Sequence, residues 1–271
     1  MSNQCFDIVE YTVKYESDQK RKNERFNSWR RCFDRFSYQN RLDNTQEAAI
    51  RLAFFLASWG MFRGSGFLLE HDETIHEGID AIVHNDAFRS LHNYQPRKFE
   101  EVDIDSINAL YIEIEEHYRR VRYEDSKGDD DAKAISNTLV TKVMLGTTGC
   151  IPAFDEYAVA AIRCMAKNDK NKRLKNLPEH KVKKRCALRK KTIEKLWKFY
   201  FDNEDDFGDA QKKIHECRRK KKFTEQPDYP PMKLLDMYLW KVGQQIIADK
   251  KAEEEREENA EQDLANPQGN H

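Results

Sequence analysis

The sequence predicts an all-α fold: a multi-helix globular bundle with a basic helical lobe and an acidic C-terminal tail. Three observations carry that prediction. Gly (10) and Pro (7) are scarce among 271 residues, while 35% of the chain is charged and 39% belongs to the AVILMFWYC set. This composition is rich in helix formers and poor in turn formers. Apolar residues recur with helical spacing in one segment after another, and no run alternates with the two-residue period of a strand. The apolar share also suffices for a sizeable core, unlike that of a disordered chain.

Residues 5–41 are expected to be helical and basic. Phe26, Trp29, Phe33 and Phe36 form one aromatic stripe there, with Arg30, Arg31 and Arg35 beside it. A second helix is expected over residues 44–59, with Thr45 as N-cap. Residues 48–57 are apolar nearly all round, as in a buried helix. Gly60 ends it, and residues 61–66 (MFRGSG) form a tight bend. A third helix is expected over 74–91, with Ile75, Ile79, Ile82 and Val83 inward. Residues 93–102 read as a linker. An amphipathic helix over 103–123 follows, its apolar face Ile104, Ile107, Leu110, Tyr111, Ile114, Tyr118 and Val121.

After a polar loop at 124–131, residues 132–145 return to helix with Ile135, Leu139, Val143 and Met144 inward; Gly146 and Gly149 then break it. Asp155 is placed to cap an apolar helix over 156–166. Residues 167–222 hold 21 Lys/Arg against 9 Asp/Glu, whereas residues 42–166 hold 12 against 22. The chain therefore reads as an acidic body with a basic lobe. Ile193, Leu196, Trp197 and Tyr200 supply that lobe with a core stripe. A last helix over 232–258 packs through Leu234, Leu235, Tyr238, Leu239, Val242 and Ile246. Eight acidic residues follow Ala248, and this tail is expected to fray. The divisions are 1–102, 103–166, 167–248 and the tail 249–271.

Several function classes lack their signatures. The first twenty residues have no basic region leading into an apolar run, so no secretory signal is expected. The most apolar stretch, 52–59, is far below the roughly 20 residues of a membrane span. Six cysteines (Cys5, Cys32, Cys150, Cys164, Cys186, Cys217) never occur as C-x-x-C, which argues for free thiols and a cytoplasmic location. There is no P-loop, G-x-G-x-x-G, H-E-x-x-H or G-x-S-x-G, and neither a cofactor nor a metal is expected. His71 and His76 flank Asp72 and Glu73, but no third and fourth ligand is in view. Glu113, Glu115 and Glu116 lie opposite an apolar face and read as solvated.

The informative stretch is Leu139-Val-Thr-Lys142-Val-Met-Leu-Gly146-Thr-Thr-Gly149-Cys-Ile-Pro152-Ala-Phe154-Asp155-Glu-Tyr157. It reads as helix, hairpin, Pro-x-aromatic-Asp, helix. Here the sequence resembles the helix-hairpin-helix DNA glycosylase superfamily, in which a short loop, a Pro and an Asp commonly precede the second helix. The resemblance implies an all-α enzyme that cleaves the N-glycosidic bond of a base in DNA, a modified one included. It implies Asp155 as electrostatic catalyst. Two departures stand beside it. Residues 126–129 (SKGD) lack the paired glycines of the hairpin proper, and Lys142 precedes Asp155 by only 13 residues, closer than the catalytic Lys of the family.

The physical case for Asp155 is that free backbone N–H groups and the helix dipole hold a carboxylate ionised at a helix start. Such a charge stabilises an oxocarbenium-like sugar and orients water. Lys142 is a candidate phosphate contact or amine nucleophile, or else a solvated lysine. Trp59, Phe62 and Arg63 offer stacking faces and a planar donor fork for a flipped base, or else a helix C-cap with a buried Trp. Phe154 and Tyr157 flank the Asp and are further candidate substrate contacts.

Two basic blocks, one with Lys181, Lys183, Lys184 and Arg185, the other with Arg218, Arg219 and Lys220, are candidate DNA contacts through the phosphate backbone. Trp197, Phe199 and Tyr200 between them read as core. The alternative function is a non-catalytic helical module that binds nucleic acid or a protein partner, for example in a bacterial defence or mobile-element system.

Overall fold

A computed structural model describes residues 6–21, 24–37, 44–63, 67–92, 94–125, 135–168, 190–222 and 227–265. The described residues contain helices and no strand, so the protein is all-α. Helix α1 spans Ile8–Ser17 and α2 spans Phe26–Phe36. The single helix expected over 5–41 is therefore two. The described residues between them, 18–21 and 24–25, contain no apolar side chain to bury and are not helical. Trp29, Phe33 and Phe36 are buried as expected, but so are Arg30 and Arg35 beside them. Arg30 donates to the Pro227 carbonyl at 3.0 Å, and its guanidinium lies 4.8 Å over the Tyr229 ring.

Helix α3 spans Thr45–Ser58. Its cap is Asn44, not Thr45: Asn44 Oδ1 accepts the Glu47 N–H at 3.0 Å, and Thr45 is already helical. The helix expected over 74–91 is interrupted. A 3-10 turn at Glu73–His76 leads into α4 (Glu77–Val83), and a second follows at Asp86–Leu91. The side chains of Asp72 and Asn85 accept the Thr74 and Ala87 N–H groups, both at 3.0 Å, and so start each turn locally.

Helix α5 (Ile104–Asp125) opens on Asp103, whose Oδ1 accepts the Ser106 N–H at 2.9 Å. Ile107, Leu110, Tyr111, Ile114 and Tyr118 are fully buried along its apolar face. Helix α6 (Asn137–Thr147) is capped by Ser136 and runs through Gly146. Gly146 does not break it, because its bare Cα is what admits the Phe55 ring. The reversal comes at Gly149, whose φ of 67° suits glycine. The expected hairpin residues 126–129 lie outside the described residues.

Helices α7 (Glu156–Asn168), α8 (Lys190–Asp202), α9 (Glu204–Lys220) and α10 (Pro231–Ala265) complete the bundle. The segment expected to fray from residue 249 continues α10 as a helix to Ala265. Pairs such as Lys250–Glu254 (3.3 Å) and Lys251–Glu255 (3.6 Å) line it at i, i+4.

Helix α1 packs on α9 and α10, and α7 lies along α10. Helix α2 packs on α3 and α6, and α5 on α4, α6 and α8. One hydrophobic cluster draws on all of these helices, so residues 1–102, 103–166 and 167–248 contribute to a common core. No helix among the described residues is long and apolar enough to cross a membrane.

Candidate active site at the junction of helices α6 and α7

The Pro152–Asp155 loop is held by side chains from two helices. On α6, Thr141 Oγ1 accepts the Phe154 N–H at 2.9 Å, and Thr138 Oγ1 donates to the Phe154 carbonyl at 2.8 Å. On α10, Asp236 Oδ1 accepts the Ala153 N–H at 3.0 Å. Asp155 then starts α7, its Oδ1 accepting the Ala158 N–H at 3.0 Å. Asp155 as a whole residue is half-buried.

Lys142 lies on α6, close enough to this loop to share the electrostatics of Asp155. It is not solvated: its relative exposure is 6%, and its Nζ donates to the Trp59 carbonyl at 2.7 Å. That hydrogen bond ties α6 to the C-terminus of α3. Asp236 Oδ2 accepts from Lys233 Nζ at 2.7 Å, and Lys233 also donates to the Tyr15 hydroxyl at 3.3 Å. Lys142, Lys233 and Asp236 are all buried.

The electrostatics follow from burial. Desolvation pushes the Asp155 carboxyl up, and the nearby Asp236 charge adds to this. The Ala158 N–H and Lys142 pull it down, but the net direction is upward. The N–H groups at the helix start favour the ionised form, as the sequence implies, but loss of water outweighs them in setting the direction of the shift. Burial likewise pushes the Lys142 ammonium down, Asp155 and Asp236 raise it, and Arg63 and Lys233 lower it, for a net downward shift. Each partner is driven toward its neutral form.

Around this pair stand the other residues singled out by sequence. The Trp59 indole stacks on Tyr15 (centroids 6.2 Å, planes at 8°) and meets Trp240 edge to face at 5.6 Å. Tyr157 meets Trp240 at 5.4 Å. Arg63 folds back so that its Nε donates to the Gly60 carbonyl at 3.0 Å, close enough for Lys142 to feel its charge. Phe62 and Phe154 pack, partly buried, against the core. Asp155, Lys142, Trp59, Arg63 and Tyr157 therefore meet in one region.

Sequence reasoning missed Lys233, Asp236 and Trp240. Their signal is visible in residues 232–242 (MKLLDMYLWKV), where charges interrupt a run that is apolar all round. A charge in such a run must find a partner inside the protein.

The basic lobe divides differently from expectation. Arg218 is 5% exposed and gives its guanidinium to Glu16, Nε to Oε1 at 2.8 Å and Nη2 to Oε2 at 3.2 Å. It is therefore withdrawn as a phosphate contact: the side chain is buried, with Nε and Nη2 committed to a carboxylate on α1. Arg219 and Lys220 are exposed at the end of α9. Lys181, Lys183, Lys184 and Arg185 lie outside the described residues. Among the described residues, no group of three or more His, Cys, Asp or Glu side chains has an arrangement that holds a metal ion.

No family model matches the chain, and neither a curated protein nor a solved structure is similar to it.

Proposed function

We propose that the chain is a DNA glycosylase-like enzyme that cleaves an N-glycosidic bond, with its chemistry at the α6–loop–α7 junction. The observation that carries this reading is the gathering of Lys142 and Asp155 at one loop, coupled through their charges without a direct hydrogen bond. Both groups are drawn out of water, each feels the charge of the other, and an aromatic wall lies beside them. Buried charges give weak returns in stability, whereas paired groups shifted toward neutrality suit acid–base and nucleophilic work.

In this reading a flipped base stacks beside Trp59 and Tyr157 while the sugar faces Asp155. As the bond from C1′ to the base nitrogen lengthens, positive charge develops on the sugar. The Asp155 carboxylate stabilises it and aligns a water that adds to C1′, the water proton passing to the carboxylate and on to the departing base. The departing base keeps the bonding electron pair. The lowered proton affinity of Lys142 leaves more free amine at neutral pH than an exposed lysine has, the form needed for attack on C1′. In this reading the exposed Arg63 contacts phosphate, leaving the Gly60 carbonyl to do so.

The test is abasic-site formation on duplexes carrying alkylated, deaminated, oxidised or mismatched bases. Asp155→Asn is expected to abolish it while leaving the far-UV spectrum unchanged. Lys142→Gln is expected to abolish any covalent adduct trapped by borohydride. Absence of turnover on every such duplex, or unchanged turnover in Asp155→Asn, removes the proposal.

Exposure of Arg219 and Lys220 favours a second reading, a non-catalytic nucleic-acid-binding module. Binding would then survive Asp155→Asn and weaken steeply with salt and with Arg219→Ala/Lys220→Ala. A protein partner in place of nucleic acid would show a flat salt response and co-purification.

A further inference from the structure

The aromatic wall beside Lys142 also gathers cations on its rings. Phe26, Trp59 and Trp240 form a corner: Trp59 meets Phe26 at 5.8 Å and Trp240 at 5.6 Å, with planes at 82° and 86°. The Arg25 guanidinium lies over all three, its Cζ 4.9 Å from the Trp59 centroid and 5.8 Å from each of the others. Lys233 sits 4.8 Å over Tyr15, and Lys241 sits 5.0 Å over Trp240. The two lysines are buried and bound to carboxylates on other positions. Arg25 is different: it is exposed, at the entry to α2, while Phe26 and Trp59 beneath it keep part of their surface.

We propose that Phe26, Trp59 and Trp240 form a seat for a planar organic cation, of the guanidinium or N-alkylated heteroaromatic class, which Arg25 occupies in the free protein and an incoming ligand takes by displacing it. Ring faces carry negative quadrupole density, so a corner of three rings attracts a flat, delocalised charge from more than one side. A planar delocalised cation is also more weakly hydrated than an ammonium and loses less on leaving water. Arg25 returns to solvent when displaced, since it is already exposed. The seat stands whether or not Asp155 is catalytic.

The probe is N1-methylnicotinamide, with neutral nicotinamide as a control of nearly the same shape. Binding is followed through the indole N–H signals of Trp59 and Trp240 by NMR. The cation is expected to shift both signals, and nicotinamide to bind at least about threefold more weakly. Arg25→Ala is expected to tighten the cation about three- to tenfold, because an occupied seat lowers apparent affinity by its free fraction. Trp59→Leu abolishes binding. Phe26→Leu, at a partly exposed position, weakens it and serves if the Trp59 variant does not fold. Asp155→Asn binds as wild type does. Equal affinity for the neutral control, unchanged or weaker binding in Arg25→Ala, or no movement of either indole signal overturns the proposal.

Discussion

Replacing Arg218 by Met strips a buried carboxylate of its counterion while keeping a side chain of similar reach. Glu16 and Arg218 have side-chain exposures of 2% and 6%. Both Glu16 oxygens accept from the guanidinium, and Oε2 also accepts from the Tyr229 hydroxyl at 3.0 Å. In Arg218→Met the carboxylate remains with Tyr229 alone. Removing one partner of a buried pair costs about 3–5 kcal/mol, mostly the penalty of the stranded charge. For a chain of this size the midpoint of thermal unfolding then falls by on the order of 10 °C. Glu16→Leu combined with Arg218→Met removes both charges and is expected to regain most of the loss, ending within about 1 kcal/mol of wild type. Urea unfolding followed by circular dichroism reads both variants and the coupling between them. A loss below about 1 kcal/mol in Arg218→Met, or a double variant no more stable than the single one, refutes the reasoning. Arg218 would then belong with the surface lysines after all.

Three more outcomes follow from particular contacts. A Cβ on Gly243 would fall 1.9 Å from the Tyr157 carbonyl oxygen. Gly243→Ala must therefore part α7 from α10, at about 1–3 kcal/mol or more, seen as a lower unfolding midpoint and a changed near-ultraviolet signal from Tyr157 and Trp240. His76 is buried, its Nδ1 2.7 Å from the Tyr118 hydroxyl; burial first, then His117 and His71, lower it from 6.5 to about 4. The unfolded chain takes up that proton more readily, so stability is whole above about pH 6.5 and drains by roughly 3 kcal/mol as the pH falls toward 4. His76→Gln should flatten this acid limb, and an unchanged slope between pH 4 and 6.5 would place the cause elsewhere. Lys142→Met removes a charge that pulls the Asp155 carboxyl down. The Asp155 titration followed by carbon NMR should move further up, and a downward move contradicts the coupling.

The parts of the fold that could be read from sequence are those whose partner is simply the core. The α5 stripe is such a case: Ile107, Leu110, Tyr111, Ile114 and Tyr118 needed only a period, and all five are buried. The α2 aromatics and the Asp155 cap were equally readable, the one from spacing and the other from local geometry. Breaks were harder. The interruption between α1 and α2 lies in a charged run that is compatible with helix and lacks only something to pack against. The two 3-10 turns around α4 depend on Asx side chains capturing their own backbone. Burial of charge was hardest. Arg30, Arg35, Lys142, Arg218, Lys233 and Asp236 carry residue types that favour water, and only the arrival of a distant helix removes it. Lys142, Lys233 and Asp236 of the candidate site lay in that category. Lys142 and Asp155 were visible through a motif; Lys233, Asp236 and Trp240, contributed by α10, were not.

Lys233, Asp236, Trp240 and Gly243 fall on one stripe of α10, spaced by three, four and three residues. The first two form the ion pair that anchors the loop, the third is a wall of the aromatic corner, and the fourth is the close approach to α7. A continuous helix resists stretching, so these four cannot be adjusted separately. The same rod runs on through residues 248–259, roughly 18 Å of it, past Ile246, the last of its described side chains packed against the hydrophobic core. Anything that grips and turns this handle therefore works on loop, wall and helix contact at once, as a key turns every ward of a lock.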